Sequence, residues 1–413
     1  MLTCSASCPV GTRPPVAQVQ RWIRATAIGM AACASASTMA AAPDLKIGAV
    51  LSLSQVMGVY GKGILDGLNL AVEEAGGSVA GRKIVVLQED DKNDAQTAIH
   101  LVRRYVKDEK VDFMVGPVGS NVAAAIRDEV HRSKTFLVVP QAGNDEITRE
   151  LCSPYIVRTS FSIWQMNFPM GQYAATNVGK EAVVIGANYV GGKQTAAGFT
   201  DGFKKQGGTV LQEFWPAVGT ADFATQFTQV RALGDKVKVV WYFVPGSTSV
   251  NFLNQYTQSG LKATVAGPVT NADEFFFDAM KDSAVGFLGS GGYVQSIDTP
   301  RNKAFVAAFK KRYGRAPVSI DVQGYDAARL IIDTVRRLNG NLSDKRATRE
   351  ALVAADIDSP RGYLKIDERT GNLIQNIYIT KVVKNADGKY GHEILATYPK
   401  VQDTDTSCKL NWN

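Results

Sequence analysis

Two hydrophobic periods take turns along this chain. Ile47 to Leu51 is an unbroken apolar run, as expected of a strand covered on both faces. From Tyr60 to Glu74 the period lengthens, and Ile64, Leu68, Ala71 and Val72 fall on one helical face. The switch then recurs. Lys83–Leu87 reads as a strand. Asp94 can cap a helix carrying Ile99, Val102 and Val106. Val111–Val115, a helix over Val122–His131, Phe136–Val139 and a strand near Tyr155–Thr159 follow. A second run of the same kind comprises helix Trp164–Asn177, strand Ala182–Gly186, helix Thr195–Gln206 and strand Val210–Trp215. It continues with helix Phe223–Leu233, strand Val237–Phe243, helix Ser247–Gln258 and strand Thr264–Gly267. Beyond a glycine-rich passage (SAVGFLGSGGYVQ) come helical segments Lys303–Tyr313 and Ile320–Leu338. The end changes character, with strands at Gly362–Ile366, Asn376–Val383 and His392–Thr397 joined by short polar turns.

Alternating strands and helices predict an α/β fold with parallel sheets. The 413 residues exceed what one core ordinarily organises, so two domains are expected. With 45% apolar and 21% charged residues, the chain has the make-up of a globular protein. Its formal charge is +7. Losing Arg13, Arg21 and Arg24 with a leader lowers this to +4, since no acidic residue precedes Asp44. The cations are scattered, so no nucleic-acid partner is expected.

Residues 1–42 read as a signal peptide. A basic segment ends at Arg24, an apolar run spans Ala25–Ala34, and small residues place cleavage between Ala36 and Ala42. The apolar run is too short to cross a bilayer. Met30-Ala31-Ala32-Cys33 is a degenerate lipobox with Met where Leu is usual, so a soluble product is favoured over a lipid anchor at Cys33. Cys152 and Cys408 then remain. In an exported protein an even count permits one disulfide, tying the C-terminal tail to the loop near Pro154. The alternative is two unrelated thiols.

Catalytic constellations are missing from the sequence. His100, His131 and His392 fall in predicted helices or the terminal hairpin, away from strand-end loops. There is no GxSxG elbow and no HExxH. DDKND (Asp90–Asp94) lacks the Gly and terminal Glu of a calcium loop. Neither an enzyme, a metal site nor a cofactor is expected.

Taken together, KIGAVLSLS…VYGKGILDGLNLAVEE, VAGRKIVVLQEDDKNDAQTAI, VDFMVGPVGSNVAAAI, LVVPQAG, YIVRTS, FATQFTQVRALGDKVKVVWY and SGLKATVAGP are a recognisable series. In order and spacing, from about Leu45 to about Thr397, the chain resembles the periplasmic solute-binding proteins of ABC importers, of the leucine/isoleucine/valine-binding type. The resemblance implies a type I periplasmic binding fold: two Rossmann-like lobes with central parallel sheets, joined by three crossover strands and closing on a solute. The N-terminal lobe would comprise 44–160 plus 296–367 and the C-terminal lobe 161–295 plus 368–413, with crossovers near Ser160, Tyr293 and Asp367.

Loops at strand ends would form the pocket. Tyr60 matches the family aromatic that covers the ligand's apolar part; the alternative is a packing tyrosine at a helix start. Ser120 and the amides after it open a helix and can hold an anion, or Ser120 is a plain N-cap. Gln141, Ala142, Gly143 and Asn144 stand in the stretch that matches the family's grip on the ligand's carboxylate and amine, but the threonine of amino-acid binders is absent. Tyr189, Tyr242 and Phe243 would supply an aromatic lid from the second lobe; alternation along the strand makes core packing the other reading for Phe243. Val269 stands where amino-acid binders carry an acidic residue for the substrate's ammonium. Burying an ammonium without a counter-charge costs several kcal/mol, and Asp273, four positions on, reads as a helix cap. The expected ligand is therefore a small organic acid, an aromatic or apolar carboxylate. Its ring would stack on Tyr60, Tyr189 or Trp164; Arg158 is either a further anion contact or a structural partner of a carboxylate. The expected role is periplasmic capture by a monomer that delivers to an inner-membrane ABC permease. The alternatives are a branched-chain amino acid or amide as ligand, or a ligand-sensing protein of the same fold.

Overall fold

The computed structural model describes residues 42–55 and 57–413. The expected signal peptide, but for Ala42, and Cys33 lie outside the described residues.

The first βα run contains β1 (Leu45–Leu51), α1 (Gly58–Glu74), β2 (Ser78–Val79), β3 (Arg82–Asp90) and α2 (Ala95–Arg104). It goes on with β4 (Phe113–Val115), α3 (Ser120–Ser133), β5 (Phe136–Val139) and β6 (Ile156–Arg158). These strands form one sheet in the order β2-β3-β1-β4-β5-β6. All its pairings are parallel except β2 with β3.

The second run contains α4 (Ile163–Asn177), β7 (Glu181–Gly186), α5 (Val190–Lys205), β8 (Thr209–Phe214), α6 (Ala224–Ala232) and β9 (Val239–Phe243). Then come α7 (Thr248–Ser259), β10 (Thr264–Pro268), α8 (Phe277–Met280) and β11 (Leu288–Gly291). Helices α9 (Pro300–Tyr313), α10 (Ser319–Arg337) and α11 (Lys345–Val353) precede β12 (Leu364–Ile366), β13 (Leu373–Lys384) and β14 (Tyr390–Val401). The second sheet runs β12-β13-β11-β10-β9-β7-β8, with β14 on β13. Its β7–β11 strands pair in parallel, whereas β12, β13 and β14 join antiparallel.

Helices α9 and α10 return to the first sheet: Phe305, Phe309, Val322 and Ile331 share a core with Leu45, Ile47 and Phe113. The second sheet is covered on two sides, by Phe223, Phe252 and Tyr256 on one and Met170, Phe199 and Phe203 on the other. Strand β12, expected with the N-terminal lobe up to residue 367, instead pairs with β13 in the second sheet. The reason is local: Asp367, Asn372 and Gly371 close a hydrogen-bonded turn that folds β12 back on β13 as a hairpin.

Where the chain passes between the sheets, buried polar groups hold it. Arg361, 2% exposed, pairs with fully buried Asp326 at 2.7 Å. Its other guanidinium bonds reach Gln375 Oε1 and the Thr159 carbonyl. Gln375 in turn donates to the Ser160 carbonyl and to Gln165 Oε1. Beyond β14 the tail crosses to the first lobe. Asp403 pairs with Arg149 at 3.1 Å, Cys408 is bridged to Cys152, and the Trp412 ring meets Tyr155 edge-on at 5.5 Å.

Candidate functional site

The carboxyl ends of β1, β4 and β5 face the N-terminal turn of α5 and the loop after β10. Tyr60 sits in the first turn of α1, where Gly58 and Tyr60 are anchored by bonds from their N–H groups to the Gln55 and Met57 carbonyls. Its ring meets Phe275 of the second lobe at 6.4 Å, edge to face. Burial, with smaller contributions from Asp273 and Tyr189, pushes its hydroxyl pKa up to about 12. Tyr60 therefore stays a neutral hydrogen-bonding group at any physiological pH.

Ser120 is the first residue of α3, not its cap; Gly119 takes that place and no side chain caps the helix. The leading N–H groups of a 14-residue helix thus open at the end of β4. Gln141, Ala142 and Gly143 follow β5. The loop is braced from behind: Ala142 donates its N–H to the Pro117 carbonyl at 3.3 Å, and Gly143 accepts from Ile163 N–H at 2.9 Å. Ser160 Oγ donates to the Ala142 carbonyl. The Gln141 side-chain oxygen, by contrast, is buried without a partner.

From the second lobe, Tyr189 caps α5, which starts at Val190 rather than at Thr195 as periodicity suggests. The glycines read as loop are helical here. Gly192 is required because a β-carbon there would lie 2.0 Å from the Ala187 carbonyl oxygen. Tyr189 is 39% exposed, and its ring lies 6.4 Å from Phe243, the half-buried last residue of β9. Burial raises the Tyr189 hydroxyl to about 12.

Tyr242, expected in the lid, lies in the core. It is fully buried, stacked on Phe252 at 3.9 Å, with its hydroxyl bonded to Ser249 Oγ at 2.8 Å. Adjacent residues of a strand point to opposite faces, and Tyr242 takes the α7 side. Val269 is 4% exposed and fills the space above Gly291, where a β-carbon would lie 2.4 Å from Val269 Cγ1. Asp273 caps the short turn after it, accepting from Glu274 N–H at 2.9 Å. It is also 3% exposed, with its pKa raised well above the carboxylate range by burial and by Glu274.

Arg158 is a structural group. Fully buried, it donates to the Phe161 carbonyl at 2.9 Å and to Thr148 Oγ1. Burial lowers its pKa to about 10, against the opposing pull of Asp145. The Trp164 ring stacks on Phe168 at 4.4 Å, and the Trp164 backbone N–H donates to Asp145 Oδ1.

Phe275 and Gln194 were not legible in the sequence. Phe275 lies in an EFFF run that looks like helix. Gln194 stands out only through its unpaired buried side-chain oxygen. Gln194 Nε2 donates to Glu146 Oε2 at 3.0 Å, linking α5 to the loop after β5. With the Tyr60–Phe275 contact, this bond closes the lobes on each other. A cavity of about 690 Å³ opens beside the start of α1, lined by Leu53, Val59, Phe275, Arg315 and Asp321 among others. It touches none of the expected site residues, and Arg315 is already paired with Asp66 and Asp321. On the loop after β5, Gln141 Oε1 and both amide atoms of Asn144 are buried without partners.

Comparison with known proteins adds the following. A family profile described as "Periplasmic binding protein" matches residues 44–389. The chain is 28% identical over 375 residues to Leu/Ile/Val-binding protein homolog 6 of Brucella melitensis, covering 89% of this chain and 95% of that one. A solute-binding protein of an ABC transporter from Rhodopseudomonas palustris, solved with benzoate, superposes with a TM-score of 0.80 at 30% identity, covering 89% of this chain and all of that one. Another, from strain BisB5 and solved with 3,4-dihydroxybenzoic acid, superposes with a TM-score of 0.79 at 30% identity, covering 88% and 99%. The architecture of two α/β lobes and the match along most of its length place this chain in the periplasmic binding protein family, as a type I binding protein of ABC transporters.

Proposed function

We propose that the protein captures a small aromatic carboxylate between its lobes in the periplasm, after removal of its signal peptide, and delivers it as a monomer to an inner-membrane ABC permease. One observation carries the choice of ligand. Tyr60 and Phe275, Tyr189 and Phe243 bring aromatic rings to the cleft, while Val269 offers no charge to an ammonium. Aromatic walls favour a flat π-system, and the open N–H groups of α3 suit a carboxylate. Ser120, Gln141, Ala142 and Gly143 supply this polar edge from the first lobe. Benzoate and dihydroxybenzoate in the two R. palustris proteins support the reading. The role is binding, not turnover. Ligand contacts both lobes only when they are closed, so binding shifts the population toward closure.

A buried carboxyl favours a second reading. Asp273 is 3% exposed and close enough to influence Tyr60, and such a group can serve the ammonium of a branched-chain amino acid. The Brucella relative's name agrees with that alternative. Thermal shift of ligand-stripped protein separates the two, since a ligand of the native state raises the melting temperature. Aromatic acids are expected to raise it and leucine to leave it unchanged; the reverse pattern moves the assignment to Asp273.

A further inference from the structure

We propose that Asp273 is a proton-operated latch between the lobes, so that closing on an anionic ligand takes up a proton and the protein binds more tightly as pH falls. The inference rests on the aromatic-acid reading and adds regulation to the same cleft.

Asp273 belongs to the second lobe, in the turn after β10, yet first-lobe groups cover it. Its Oδ2 lies 3.5 Å from the hydroxyl of Ser319, the first residue of α10. It is also close enough to influence the Tyr60 hydroxyl on α1. Two residues on, Phe275 meets the Tyr60 ring, so the same turn carries the aromatic contact between the lobes. In this closed form Asp273 is 3% exposed. Ser319 and Tyr60 part from it when the lobes separate, and opening therefore returns the carboxyl to water.

The charges around this seam oppose ionisation. Glu274 stands beside Asp273 on its own turn, and Asp321 acts on it from α10. Arg315, ahead of that helix, pairs with Asp321 and Asp66, and no ion pair reaches Asp273 among the described residues. Lys62 of α1 is exposed on the vestibule side. Tyr60, Tyr189 and Tyr293 add only neutral hydroxyls. Behind the turn, His392 of β14 bonds the Ala272 carbonyl through Nε2 at 3.0 Å, and burial lowers its pKa. Burial without a counter-charge, together with Glu274 and Asp321, holds Asp273 well above the carboxylate range. An anionic ligand pushes it the same way. The closed form thus keeps a proton that the open form releases, and the protonated carboxyl can donate to Ser319 Oγ where an ionised one cannot. Closure has this support in full below the open-form value, about 4. It loses that support as pH rises through the closed-form value.

Isothermal titration calorimetry on protein expressed from the full chain and stripped of ligand tests this. Benzoate and leucine are the probes, titrated from about pH 5.5 to 8 in buffers of different ionisation heat, which counts the protons taken up on binding. Benzoate stays ionised over this range, so any uptake belongs to the protein. Wild type should take up as much as one proton, and its affinity should fall at least about threefold across the range, with a limit of about tenfold per pH unit. Asp273→Asn, an isostere of the protonated acid, should take up none and bind at about pH 8 as tightly as wild type does at about pH 5.5. His392→Gln and Asp145→Asn, which remove two other buried groups with shifted pKa values, should leave the uptake unchanged. The proton count on wild type needs no variant and stands even where a variant does not fold. Benzoate binding without uptake, uptake that persists in Asp273→Asn, or uptake lost in either of the other variants overturns the latch and leaves the aromatic-acid reading standing. Binding of leucine with proton release, and no response to benzoate, overturns both, because Asp273 is then the ammonium's counter-charge.

Discussion

Replacing Cys408 with serine should lower the melting temperature by several degrees without disturbing the cleft. The bridge joins residues 256 apart in sequence. Treating its effect as lost chain entropy in the unfolded state, a loop of that length corresponds to about 5.5 kcal/mol, against about 2–4 kcal/mol for typical disulfides. For the roughly 370 residues from 42 to 413, an unfolding entropy near 2.1 cal/mol/K per residue converts about 3–5 kcal/mol into a shift of about 4–6 °C. The tail's other contacts make the lower part of that range the better expectation. Trp412 still packs on Tyr155 and under Arg346, and Asp403 still pairs with Arg149. Differential scanning fluorimetry of wild type, Cys152→Ser, Cys408→Ser and the double variant is the assay. The single variants should match, and the double should be no worse, because each removes the same bond. Reducing the wild type should reproduce the shift. Non-reducing peptide mapping must first find the Cys152–Cys408 cross-link; its absence would refute the geometry. If the cross-link is present and the shift is under about 1 °C, the entropy argument fails for this chain, because the unfolded state keeps the tail close to the loop.

Arg361→Ala should destabilise the protein by about 3–5 kcal/mol in urea unfolding, because it leaves Asp326 charged and buried without its partner. Arg361→Ala combined with Asp326→Ala should recover part of the loss. Tyr189→Ala should weaken binding of the aromatic acid by about tenfold at unchanged melting temperature, since the half-open ring contributes stacking and little core. Titration calorimetry reads the first effect and fluorimetry the second. Asp145 has its pKa raised from 3.8 to about 6 by burial, with Arg149 and Arg158 only partly offsetting it. A raised folded-state pKa contributes stability that is complete below about pH 4 and lost as pH passes 6, at most about 3 kcal/mol. Asp145→Asn should flatten that slope in denaturant titrations at pH 4.5 and 7; an unchanged slope assigns it to other groups.

Much of the architecture was written in periodicity. Phe136–Val139 is a strand to the residue, and the Trp164–Asn177 prediction differs from α4 only in starting one residue late, despite Pro169 within the helix. Signals failed where a tertiary contact overrides local preference. The Gly191-Gly192 pair reads as loop, yet the close Ala187 carbonyl makes glycine the residue that lets α5 begin there. At the terminal hairpin, β13 and β14 each run to 12 residues, well past the apolar stretches that announced them. Strand pairing extends them where side-chain pattern does not.

The site was half legible for a related reason. Alternation states that Tyr242 and Phe243 face opposite ways, but not which one faces the ligand; that phase is set by Phe252 and Ser249 on α7, which hold Tyr242. The loop after β5 was legible by resemblance, which named Gln141, Ala142, Gly143 and Asn144, but the way folding seats it was not. Ala142 N–H reaches back to the Pro117 carbonyl and the Gly143 carbonyl accepts from Ile163 N–H. Both bonds join segments well separated along the chain, so no local pattern announces them; they form only once β5 has packed between the loop after β4 and the start of α4.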